Sequence, residues 1–103
     1  MAESQVYTLL VQVGRAAGDG LPAGATGAAL LCYAAGRTER NAVDETVAVL
    51  RLAELAPLEV EALGTLAERE AAGEAIGDAD RALMHRALAE NAVVVAQVEV
   101  FHD

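Results

Sequence analysis

Gly64 to Gly77, GTLAEREAAGEAIG, is the segment on which the topology of this chain turns. Two readings compete. Thr65 and Glu68 match a capping box, in which the hydroxyl bonds the amide three residues on and the carboxylate bonds back, and LAEREAA has high helix propensity. A short helix is the local preference. Alternatively, Gly64-Thr65 forms a two-residue turn with glycine at its first central position, and Leu66 to Arg69 returns as an antiparallel strand. The sheet gains a strand in one case and the domain gains a helix in the other.

The flanking elements are easier to read. Val6 to Val13 (VYTLLVQV) is rich in β-branched and aromatic residues and reads as a strand with both faces largely apolar. Gly14 to Gly27 (GRAAGDGLPAGATG) carries many glycines and a proline, so a long loop follows. Ala28 to Ala35 (AALLCYAA) is a short apolar run closed by Gly36, consistent with a second strand. Thr38 or Asn41 can cap a helix over Asn41 to Leu55, whose apolar stripe includes Val43, Val47 and Leu50, with Pro57 closing it. Leu58, Val60 and Ala62 then alternate with Glu59 and Glu61, as in a strand with one wet face. Asp78 or Asp80 can cap a second helix over Ala79 to Glu90, with Leu83, Met84, Ala87 and Leu88 on one side and Asn91 at its left-handed end. Val93 to Phe101 (VVVAQVEVF) reads as the last strand.

With Leu66 to Arg69 as a strand, the elements from Ala28 onward run strand, helix, strand, strand, helix, strand. That order resembles the ferredoxin-like superfold. The expected class is therefore α+β: a ferredoxin-like two-layer sandwich, with a four- or five-stranded, mainly antiparallel sheet and two helices on one face. Val6 to Val13 would be an added fifth strand lying beyond the C-terminal one, and the long loop would cross back to the sheet centre. With the segment helical, a two-layer domain rich in βαβ connections remains. The resemblance is one of element order alone and brings no site residues with it.

Residues 1–103 fit a single domain able to bury its own core. Val43, Val47, Leu50, Leu83, Leu88, Val94 and Val98 are the expected core. The formal net charge is −9, from sixteen acids against seven bases, and every base is arginine. Such a field repels a phosphate backbone, and three aromatic residues leave little for stacking on bases, so nucleic-acid binding is not expected. Cys32 is the only cysteine, which precludes an internal disulfide and fits a reducing compartment. MAESQ lacks the basic segment and apolar run of a signal peptide, and no stretch has the length of a membrane span. A soluble, cytoplasmic protein without membrane association is expected.

Few side chains carry chemistry. The glycine-rich loop has neither a dinucleotide nor a phosphate-loop spacing, although its amides, with Arg15 and Asp19, can cradle a small anion. Arg37 and Thr38, between a strand end and a helix start, occupy a place where ligands often bind, and an arginine there can clamp a carboxylate. Tyr33 completes the expected ligand-binding set of Arg15, Asp19, Tyr33, Arg37 and Thr38. His85 and His102 lack metal-ligand spacing, so neither a metal nor an organic cofactor is expected. Cys32 is expected to be an inert core residue, and Glu59 and Glu61 the wet side of a strand.

These features suit a small dimeric binding or regulatory module for a small molecule or a protein. The alternative is a cofactor-independent enzyme with a pocket at the sheet-helix or dimer junction, using a glutamate, His85 or Tyr33 to carry a proton. The sequence does not decide whether the chain is catalytic. A homodimer is expected because two helices cover only one sheet face, leaving residues such as Val6, Leu10, Val93 and Val95 to find another cover.

Overall fold

The computed structural model describes residues 3–102. Its elements, in chain order, are β1 (Gln5–Gly14), β2 (Ala25–Gly36), α1 (Glu39–Leu52), β3 (Ala56–Thr65), α2 (Leu66–Ala71), α3 (Asp78–Glu90) and β4 (Val93–His102). The protein is α+β, with one four-stranded, wholly antiparallel sheet and three helices. Strand order is β3-β1-β2-β4. The expected ferredoxin-like arrangement does not form.

The reason lies in Gly64 to Gly77. Thr65 is the N-cap of α2 and the capping box closes in full: its hydroxyl accepts from the Glu68 amide at 3.1 Å, and the Glu68 carboxylate accepts from the Thr65 amide at 2.9 Å. Gly64, at a φ of 103° that a side chain rarely tolerates, turns the chain out of β3. Local preference wins, and no strand returns. β1 is then not an outer addition but a central strand, hairpinned to β2 by the long loop and flanked on its other side by β3.

The helices divide between the two faces, another departure from expectation. Tyr7, Leu9, Val11 and Val13 of β1 pair with Ala34, Cys32, Leu30 and Ala28 of β2, and this front face packs under Ala42 and Leu50 of α1. Neighbouring residues point the other way: Val6 and Tyr33 pack against Met84 and Ala87 of α3, with Leu66 of α2 beside them. An apolar alternation on both sides of β1 is what a strand with helices on both faces requires. Of the expected core, Leu50 is fully buried, whereas Leu88 and Val98 are exposed; Leu9, Val11, Tyr33 and Met84 do much of the filling. Val6, expected to await a partner, is buried.

α1 starts before its expected range, at Glu39, and ends short of it, at Leu52, and Ala42, Thr46 and Leu50 form its buried row. Gly36 lets its first turn approach: a Cβ there would stand 2.8 Å from the Ala42 amide nitrogen. α3 is capped by neither Asp78 nor Asp80, its N-cap being Gly77 without a side-chain bond, while Asn91 takes the left-handed conformation at its end with φ 49°.

The back face is covered over only half its length. Beyond the helices two cross-strand rungs lie open: Glu61, Leu10, Leu31 and Gln97, then Glu59, Gln12, Ala29 and Glu99. Leucines hold the middle of the first rung, and carboxylates or amides hold the rims of both.

Candidate functional site

The sequence-derived ligand residues fall in three places. Arg15 and Asp19 lie in the β1–β2 loop, where they bond each other. The Asp19 carboxylate accepts from the amides of Ala16 and Leu21 at 2.9 and 3.0 Å and from the Arg15 guanidinium at 2.9 Å. These bonds, that of the Ala16 amide foremost, hold its pKa down at about 2. Arg15 also donates to the carbonyls of Pro22 and Ala25 at 3.1 and 2.7 Å. The anion that the loop amides cradle is thus the loop's own aspartate, and the pair builds the hairpin connection.

Tyr33 lies at 2 % exposure on the back face, its hydroxyl donating to Asp80 Oδ1 of α3 at 2.8 Å. Burial first, and the neighbouring carboxylate second, raise its pKa to about 12. Thr8, its cross-strand partner, accepts from Arg69 of α2 at 2.9 Å, and Arg69 also bonds Glu74 at 3.2 Å. Arg81 pairs with Glu70 at 3.2 Å, tying α3 to α2. This network fastens both back-face helices to the sheet. No buried side-chain nitrogen or oxygen among the described residues lacks a partner.

Arg37 and Thr38 do sit together, at the opposite end of the sheet from Arg15 and Asp19. Thr38 is the N-cap of α1, its hydroxyl accepting from the Asn41 amide at 3.1 Å. Arg37 lines an open cleft of about 550 Å³ with Gln5, Tyr7, Thr65 and Glu68.

Beside it lies a better enclosed cleft of about 340 Å³, between α1 and the α3–β4 turn. Asn41, Glu45 and Val49 form one wall, spaced four apart on the helix row next to the buried one. Asn91, Ala92 and Val93 form the other, with Ala35 at the base. The Asn41 carbonyl oxygen accepts from the Arg37 amide at 3.2 Å, which orients its side chain. A volume near the lower end of the range for small-molecule sites, with a lining more polar than apolar, suits binding of a compact ligand that carries polar groups. In the sequence, Asn41 and Asn91 stand out only as helix termini. The row Asn41, Glu45, Val49 was the available signal, but its opposing wall depends on β4 lying beside β2.

Cys32 is buried and free, and burial raises its pKa to about 11, which keeps it a thiol. Both Glu59 and Glu61 are exposed, as is His85. Among the described residues no group of three or more histidine, cysteine and acidic side chains could hold a metal, and no helix is long and apolar enough to cross a membrane.

A family model, the domain of unknown function DUF8846, matches residues 6–102, and the chain belongs to that family. No curated protein and no solved structure matches it.

Proposed function

We propose that the protein is a self-associating binding module in which two copies pair through the free edge of β4. One observation carries this reading: the two edges of the sheet are built differently. On β3 the register with β1 slips twice, leaving Leu58 and Leu63 as bulges, and the strand also carries Pro57, Glu59 and Glu61. Proline, bulges and charges are the devices that keep an edge strand from pairing. The register of β4 with β2 also shifts twice, but only one of the two bulges, Ala96, lies on β4 itself, the other being Thr26 of β2; from Gln97 to Phe101 the pairing is regular, with Glu99 as the strand's one carboxylate. Val95 and Val98 stand exposed on the front side of that strand, and Phe101 on the back.

The open half of the back face supports the edge over the face as the point of contact. Copies meeting face to face through a twofold axis would set Glu59, Glu61 and Glu99 of each against the same residues of the other. Like charges in opposition are costly, whereas an antiparallel edge pairing satisfies backbone groups with little charge nearby. A twofold dimer of continuous eight-stranded sheet results. The free, buried Cys32 fits a reducing compartment such as the cytoplasm.

Sedimentation equilibrium tests the reading. The unaltered chain is expected to dimerise at micromolar concentration, Val98→Lys to weaken the dimer at least about tenfold, equivalent to about 1.4 kcal/mol, and Leu58→Lys on the other edge to leave it unchanged. A monomeric parent, or equal effects of the two substitutions, would overturn it.

A further inference from the structure

We infer that the 340 Å³ cleft between α1 and the α3–β4 turn binds a small organic cation, a molecule with one protonated amine on a short apolar body. The inference is independent of edge pairing and rests on what the cleft walls offer. Glu45 lines the cleft from the second turn of α1, and among the described residues no cationic group pairs with it. Of the arginines nearest to it in sequence, Arg40 pairs with Asp44 at 3.8 Å, Arg51 in the last turn of α1 makes no ion pair with it, and the Arg37 side chain lines the neighbouring cleft together with Glu68. Across from it Asn91, whose backbone N–H bonds the Leu88 carbonyl, offers its side-chain amide. An ammonium group has three donors and no acceptor, so one carboxylate and one amide oxygen on facing walls are complementary to it. Val49, Val93 and Ala35 supply the apolar surface on which a short hydrocarbon chain can lie.

Charge sets the sign of the ligand. Glu45 repels a carboxylate or phosphate, and the net charge of −9 makes the surrounding field attractive to cations. Asn41 commits its carbonyl oxygen to the Arg37 amide, which leaves its NH2 group toward the remaining space. A hydroxyl or carbonyl oxygen on the ligand body would find a donor there. The class is thus a short amine, with an oxygen function permitted a few atoms from the nitrogen.

The test is a titration of the labelled 103-residue chain with n-butylammonium, followed by amide NMR shifts at about 0.15 M salt, where diffuse attraction beyond about 8 Å is screened. Butyrate and 1-butanol serve as the anionic and neutral controls. Saturable shifts confined to Ala35, Asn41, Glu45 and Asn91 to Val93 are expected, absent with butyrate and weaker with butanol. Glu45→Gln, exposed on its helix and so tolerated by the fold, should weaken binding about tenfold while the rest of the spectrum stays unchanged. Non-saturating shifts spread over the acidic surface, equal binding of butyrate, or undiminished binding by Glu45→Gln would each overturn the inference.

Discussion

Cys32 and Tyr33 are neighbours on β2 that face opposite sides of the sheet, and burial raises both pKa values, to about 11 and about 12 from ordinary values of 9.0 and 10.0. A group whose folded pKa is raised keeps its full contribution to stability below the unfolded value and loses it as pH climbs toward the folded one. The loss from Cys32 therefore begins near pH 9 and that from Tyr33 near pH 10. Thermal melts should show stability falling above pH 9, and Cys32→Ala should delay the onset by about one pH unit because only Tyr33 then titrates. An unchanged onset would mean that the thiol ionises without unfolding the sheet. Asp19 has the opposite sign. Its folded value near 2 lies below the ordinary 3.8, so its stabilising effect is present above pH 4 and fades between 4 and 2. Asp19→Asn should abolish that acid limb in the loop amide signals of Ala16 and Leu21; persistence of the limb would assign it to another group.

At the scale of elements, the helix α2 shows where local sequence suffices and where it does not. Thr65 and Glu68, three residues apart, announce the capping box, and Asn91 announces a left-handed helix end; both are found. Strand order was not legible, because both faces of Val6 to Val13 are apolar and an apolar alternation fixes neither neighbour nor layer. Asp80 illustrates the same limit: it reads as a helix cap, yet its partner is Tyr33, forty-seven residues away. The candidate cleft shares this fate, one wall being a visible row on α1 and the other requiring β4 next to β2. Arg69 gives a test of how α2 is held. Its bond to Thr8, whose side chain is otherwise buried, means that Arg69→Met strands a hydroxyl and should cost about 1–3 kcal/mol in denaturant unfolding. Adding Thr8→Val removes the stranded group, so the double variant should cost less than the sum of the single ones. Strict additivity would show that the bond is not formed in solution.

For the whole molecule, the decisive quantity is the net charge of −9 on each copy of an assembly whose proposed contact is nearly uncharged. Two such copies repel at long range, while the β4 edge contributes backbone hydrogen bonds and the exposed Val95 and Val98. These components respond differently to salt. Raising ionic strength from about 0.01 to 0.15 M shortens the screening length from about 30 to 8 Å, which suppresses the repulsion and leaves the edge contact intact. The dimer should therefore tighten with added salt. Val98→Lys brings the formal charge of each copy to −8, by adding one positive charge to −9, and so lowers the repulsion while obstructing the edge. If charge alone governed association, that substitution would strengthen the dimer; if the edge governs it, the dimer weakens at every salt concentration. Sedimentation across a salt series separates the two, and a dimer that loosened with salt would point instead to ion pairs between copies and sink the edge model.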